Sequence, residues 1–158
     1  MNSNQIILLP VIDRGFTQVR ISPIHGRGVF AKKKIPKGTR IMEYEGKRVK
    51  RSQIVKDAVK GITSMVYVMG LDEKMVIDGE RNGNDSRFIN HHCSPNCEVY
   101  FINDTPFIYA MQEIKKGEEL TFDYHLSLIT ETPLTSKEKK ELFPCNCGSP
   151  VCRGTLIS

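Results

Sequence analysis

The sequence predicts a mainly β domain carrying a short cysteine-rich tail. Three observations point there. Short runs rich in β-branched and aromatic residues recur along the chain, turn-forming clusters separate them, and only two stretches have helical character. The strand candidates are "TQVRIS", "GVFAKK", "TRIMEYEG", "SMVYVMG", "KMVIDG", "CEVYFI", "PFIYAMQEI" and "ELTFDY", with "PKG", "GNDS", "NDTP" and "KKGE" as turns between them. One helix is predicted over about Arg51 to Lys60. A second follows Thr135, where "TSKE" can form a capping box with Glu138, and Leu134, Glu138 and Leu142 share a face.

The 158 residues suffice for one domain with its own core, and 39% apolar with 26% charged residues describes a globular chain rather than a disordered one. The net charge of +5 favours an acidic partner only weakly. No dense basic stripe with interleaved aromatics is present, so direct nucleic-acid binding is not expected. The apolar run Ile6 to Ile12 lacks a basic flank, is broken by Pro10 and is too short to span a bilayer. It reads as an N-terminal arm, residues 1–16, and no membrane partner is expected. The segment "KKK" at Lys32 to Lys34 falls in a strand-turn rather than in a targeting signal.

The organisation changes after Tyr124. A polar linker leads to the second helix and then to "CNCGSPVCRGTL", a tail too small to own a core. Cys145, Cys147 and Cys152 form C-x-C-x4-C, and with no export signal they are expected to be reduced thiols. Thiolates at this spacing read as zinc ligands, and zinc takes four in a tetrahedron. Only Cys93 and Cys97, both in "RFINHHCSPNC", remain to supply the fourth, and spacing does not choose between them. A thiol that ligates zinc is not a nucleophile, so the His-Cys pairing in this stretch does not by itself mark covalent catalysis.

With these residues in view, the chain resembles the SET-domain protein lysine methyltransferases that carry a post-SET zinc tail. The blocks "SPIHGRGVF", "IPKGTRIMEYEG", "YVMGLDEKMVIDGERNGNDSRFINHHCSPNC", "AMQEIKKGEELTFDY" and "CNCGSPVCRGTL" occur in the family's order. The first and third look most like the trithorax-type branch, whose members act on a histone H3 tail. The resemblance implies a β-clip fold of small curved sheets with a pseudoknot that sets "RFINHHC" beside "ELTFDY". The SET domain would span 17–124, and a linker helix with the post-SET tail 125–158. It implies S-adenosylmethionine as methyl donor, zinc in the tail, and a protein lysine, a histone tail by default, as acceptor.

Residue by residue, the resemblance places His25 and Arg27 in the loop under the cofactor. Asn90 and His91 would hold the cofactor largely through backbone groups, Asn146 would contact it from the tail, and Cys93 would be the fourth zinc ligand. Tyr67 and Tyr124 would line the lysine channel and touch the donor, and Phe122 would sit beside the lysine amine. Tyr44, Tyr100 and Tyr109 are expected in the core. The family has Ser where this chain has His92. Location is expected to be intracellular, nuclear in a eukaryote, and cytoplasmic or delivered into a host from a bacterium. The alternative is a catalytically silent, zinc-stabilised binding module.

Overall fold

A computed structural model describes residues 15–127 and 132–158; the Ile6–Ile12 run and part of the linker lie outside them. The strands are β1 (Thr17–Ile21), β2 (Arg27–Ala31), β3 (Arg40–Glu43), β4 (Lys47–Lys50), β5 (Val68–Gly70), β6 (Met75–Asp78), β7 (Asn90–His91), β8 (Cys97–Ile102), β9 (Thr105–Ala110) and β10 (Glu119–Phe122). The helices are α1 (Arg51–Val59) and α2 (Ser136–Leu142). Three small sheets result, with orders β1-β2-β10-β7, β3-β9-β8 and β4-β6-β5. The mainly β expectation holds.

Several strands, β2, β6, β9 and β10 among them, bury consecutive residues on both faces. In β8 and β9 the register runs from Cys97↔Ala110 to Ile102↔Thr105, closed by Asn103 and Asp104 at φ of 48° and 59°. Asn and Asp tolerate this left-handed region, and two such residues make a tight hairpin turn that follows the strands' twist. Val29, Ile35, Ile89, Cys97, Ile108, Ile114 and Leu120 fill the main core. A second, smaller cluster of Val49, Ile54 and Val76 lies under α1. There Arg81 joins helix to sheet, its Nη1 2.8 Å from Asp57 and its Nε 2.6 Å from Asp78.

The structure departs from sequence expectation in four places. β4 has the sequence KRVK, three cations around the single buried Val49, and pairs with β6 from Lys47↔Asp78 to Lys50↔Met75. A β pattern is invisible there because only one side chain reports it. "SMVYVMG" is a strand only from Val68: Met65 has φ of 62° and Tyr67 precedes the ladder, so Val66 is exposed to solvent rather than packed on an opposite face. Tyr100, 51% exposed on β8, and half-buried Tyr109, edge-on to it at 5.4 Å, are not core. α2 forms with the predicted capping box, Thr135 and Glu138 exchanging hydrogen bonds, but buries no residue, and Leu142 is 61% exposed.

Two bridges close the segment 125–158 on itself rather than onto the strands above. Pro144 bridges Thr155, Leu126 bridges Ile157, and Ile157 is buried. Leu120, fully buried on β10, holds the strand that carries the candidate site. Leu120→Ala is expected to lower unfolding free energy by about 3 kcal/mol, transfer and cavity terms together. Urea denaturation reads this as a shifted midpoint at unchanged slope.

Candidate active site and thiol cluster

The site is built where β7 crosses β10. The two pair in parallel, Thr121↔Asn90 and Phe122↔His91, and the His92 N–H donates to the Phe122 carbonyl at 3.3 Å. This is the juxtaposition of "RFINHHC" and "ELTFDY" that the resemblance implied.

Around the crossing, the loop Ser22–Gly28 is tied down by polar contacts. The Ser22 hydroxyl donates to the Glu119 carboxylate at 2.7 Å and accepts the Ile24 N–H at 2.9 Å. The Asn90 side-chain amide donates to the carbonyls of His25 (3.2 Å) and Arg27 (3.0 Å) and to Glu119 Oε1 (2.8 Å). The two glycines of "HGRG" have different reasons. Gly26 has φ of 49° with open space where a Cβ would stand, whereas a Cβ on Gly28 would collide with the Glu119 carboxylate. The Arg27 guanidinium stacks on the Phe88 ring, 4.1 Å from its centroid.

His91 is 3% exposed and its ring lies edge-on to Tyr124 at 5.3 Å. Phe122 is buried, with its ring 5.2 Å from that of Tyr124. The Tyr124 hydroxyl donates to the Ile89 carbonyl at 2.9 Å. Burial pushes this phenol up, although the residue as a whole is 38% exposed: the hydroxyl end points in and the ring edge faces out. Tyr67 is half-buried, edge-on to Phe88 at 5.6 Å, and its carbonyl accepts the hydroxyl of buried Tyr44. Tyr109 is half-buried and its hydroxyl accepts from Arg40 Nε at 2.6 Å.

The four sulfurs of Cys93, Cys145, Cys147 and Cys152 lie within 4.8 Å of one another. Cys93 Sγ is 3.9 Å from that of Cys145 and 4.0 Å from that of Cys152. Tetrahedral thiolates at a zinc bond length of about 2.3 Å are separated by about 3.8 Å, so this donor set fits zinc. Backbone N–H groups already point at the sulfurs: Arg153 at Cys93 (3.4 Å), Gly154 at Cys152 (3.4 Å) and Cys93 at Cys147 (3.5 Å). Burial opposes ionisation of Cys147, yet N–H groups of Cys93 and Ser149 draw its thiol down to about 6. Four thiolates this close repel strongly without a cation between them. Cys97 stays apart. It is fully buried in the core, and burial pushes its thiol up to about 12.

Three functional contacts escaped the sequence. Glu119 organises the Ser22 loop and Asn90, as described above. Arg153 forms a bidentate pair with Asp123, at 2.6 and 3.0 Å, fastening the tail to the segment before Tyr124. Burial alone would raise Asp123, but Arg153 and the His125 N–H hold its carboxyl down to about 2. His92, in place of the family's Ser, accepts the Ser94 N–H on Nδ1 at 3.0 Å, the same local role a hydroxyl plays in such a turn. Nothing in the linear spacing signals Glu119; adjacency to Cys152 is the one cue for Arg153. Asn146 is exposed between its two cysteines.

Metal analysis of the purified protein is expected to give about one zinc per chain. Cys152→Ser should lose it and Cys97→Ser should keep it. Full zinc content in the Cys152 variant would remove that residue from the ligand set.

The SET domain family model matches residues 26–125. The chain is 39% identical over 138 residues to histone-lysine N-methyltransferase ash1 of Drosophila melanogaster, covering 83% of this chain and 6% of that protein. It is 38% identical over 142 residues to histone-lysine N-methyltransferase 2B of Homo sapiens, covering 85% and 5%. It is 35% identical over 142 residues to the H3 lysine-4-specific histone-lysine N-methyltransferase of Schizosaccharomyces pombe, covering 85% and 14%. This chain therefore spans only a small share of each relative's length. No helix among the described residues is long and apolar enough to cross a membrane, which says nothing of β-barrels. The crossing of β7 with β10, the thiol cluster and the match over 26–125 agree: the chain belongs to the SET domain family.

Proposed function

We propose that this protein transfers methyl groups from S-adenosylmethionine to the side-chain amine of a protein lysine, with a histone H3 tail as first candidate and chromatin as the place of action. The observation that carries this is the β7–β10 crossing, which gathers Asn90, His91, Phe122 and Tyr124 at one point. Their assembly favours an enzyme over a silent binding module.

S-adenosylmethionine, when bound, supplies an electrophilic methyl on a sulfonium. His25, Arg27, Asn90 and His91 would hold it, with Tyr67 and Tyr124 touching it from the channel and Asn146 from the tail. Gly26 leaves the backbone open to a ligand, which fits this role. The Asn90 amide is committed to the loop carbonyls and Glu119, so its part is to shape the cradle while backbone groups face the donor. Cys93, Cys145, Cys147 and Cys152 would hold zinc, which would order residues 125–158 as a post-SET unit on the SET domain of 17–124.

The acceptor must be a neutral amine, and a free lysine with pKa about 10.4 is protonated at neutral pH. An apolar channel walled by Tyr67, Phe122 and Tyr124 disfavours the ammonium by withholding water. No strong general base is then required, and alignment does the rest, at several kcal/mol of barrier. The Tyr124 hydroxyl, anchored on the Ile89 carbonyl, is positioned to orient the amine.

Labelled-cofactor transfer to core histones, with the modified lysine mapped by mass spectrometry, tests this function; no transfer to any lysine sinks it. Tyr124→Phe should keep cofactor binding and slow transfer by roughly 100-fold. Full activity in that variant would move the key hydroxyl to Tyr67.

Phe122 bears on how many methyls are added. A Tyr hydroxyl here would hold a water in the space a methylated amine needs; Phe has none, so water is easier to displace. Wild type is expected to reach di- or trimethyl product, and Phe122→Tyr to accumulate monomethyl product with the first transfer little changed. Product mass over time decides, and identical distributions would remove Phe122 from this role.

A further inference from the structure

His91 makes more contacts than a cofactor-binding backbone requires. Its side chain is almost wholly enclosed and both ring nitrogens are engaged. Nδ1 lies 3.1 Å from the Tyr124 backbone nitrogen, and Nε2 lies 3.3 Å from Cys93 Sγ. A backbone N–H can only donate, so Nδ1 accepts and carries no proton. A neutral imidazole then has its proton on Nε2, aimed at the sulfur. Asp123 Oδ1 is 3.5 Å from Nδ1, but the Tyr124 N–H already occupies that nitrogen. The sulfur also accepts the Arg153 N–H, so Cys93 gathers donors from the crossing and from the tail.

Cys93 is the only member of the thiol cluster outside the tail, two residues beyond His91 in sequence. The ring is thus a bonded path from the thiol cluster to Tyr124, beside the one through Arg153 and Asp123. It runs from sulfur through imidazole to the Tyr124 N–H, with the ring edge-on to the phenol. The Arg153–Asp123 pair joins the tail to the residue before Tyr124, whereas this ring joins the Cys93 sulfur to the N–H of Tyr124 itself.

We propose that the His91 side chain is a positioning residue: its Nε2–H supports the Cys93 thiolate at the zinc, and its Nδ1 fixes the Tyr124 backbone, so that metal loading sets the phenol. This rests on the zinc and Tyr124 roles proposed above. The physical expectation is that of other metal sites, where a partner hydrogen-bonded to a ligand changes metal affinity by roughly 10–100-fold when lost.

Two substitutions separate the two bonds. In His91→Asn the amide oxygen can replace Nδ1 as acceptor, and the donor to Cys93 is lost. In His91→Gln the longer amide can replace the Nε2 donor, and the acceptor for Tyr124 is lost. Zinc release to a competing chelator should therefore be roughly 10–100-fold easier in the Asn variant and near wild type in the Gln variant. The thiolate charge-transfer band of cobalt-substituted protein should shift in the first only. Methyl transfer in the Asn variant should recover with excess zinc. In the Gln variant kcat should stay low at unchanged KM whatever the zinc concentration.

A measurement on the wild type covers the case in which a variant fails to fold. In nitrogen-labelled, cadmium-substituted protein, NMR should show Nε2 protonated, Nδ1 unprotonated, and scalar coupling from the Nε2 proton to the metal through the sulfur. A ring protonated on Nδ1, absence of that coupling, or equal zinc release in wild type and the Asn variant would overturn the proposal. These readouts come from metal and ring rather than from turnover. A protein that binds metal as described but methylates nothing would count against the proposed function alone.

Discussion

The rest of the site depends on one pairing, the two-residue strand Asn90–His91 lying parallel to Thr121–Phe122. A parallel pair this short has little stability of its own. Its neighbours hold it. Ile89 and Leu120 are buried on either side, and the Asn96 side chain reaches across, donating to the Glu119 carbonyl at 2.8 Å and accepting the Thr121 N–H at 2.9 Å. Asn90 extends the same crossing outward to the Ser22–Gly28 loop. The Asn90 and Asn96 amides and both ring nitrogens of His91 have partners, as buried polar groups require.

Local chemistry at the crossing follows from this enclosure. The Tyr124 phenol is raised by burial and anchored on a carbonyl rather than on a charged group, so it stays neutral at ordinary pH. Phe122, Phe88 and Tyr67 supply apolar walls, with Arg27 and Arg87 stacked on Phe88 from outside.

The tail is held by chemistry rather than by hydrophobic burial. α2 contributes nothing to the core, and the tail's attachment rests on the approach of Cys93 to the tail thiols, the Ser94–Ser149 hydroxyl contact and the Arg153–Asp123 pair. Under the zinc role proposed above, metal content and tail order are expected to move together. Because Arg153 follows Cys152 directly and Asp123 precedes Tyr124 directly, any loosening is felt beside the phenol.

The sequence alone determined the mainly β class, both helices with the Thr135 capping box, and three of the four clustered cysteines, because these are local: β-branched and aromatic runs between turn signals, capping and close thiol spacing are read within a few residues. The family resemblance added Cys93 over Cys97, and the structure agrees, placing Cys93 among the sulfurs and Cys97 in the core. Tertiary structure alone decided what distance along the chain hides. β7 is too short to carry a pattern, and β4 hides its single buried Val49 among cations. Tyr67 leaves the ladder because Met65 takes a left-handed turn, and Tyr100 faces water because β8 lies at a sheet edge. Glu119, Arg153 and Nδ1 of His91 acquire partners 97, 30 and 33 residues away, and no local periodicity encodes a contact made by a chain crossing itself.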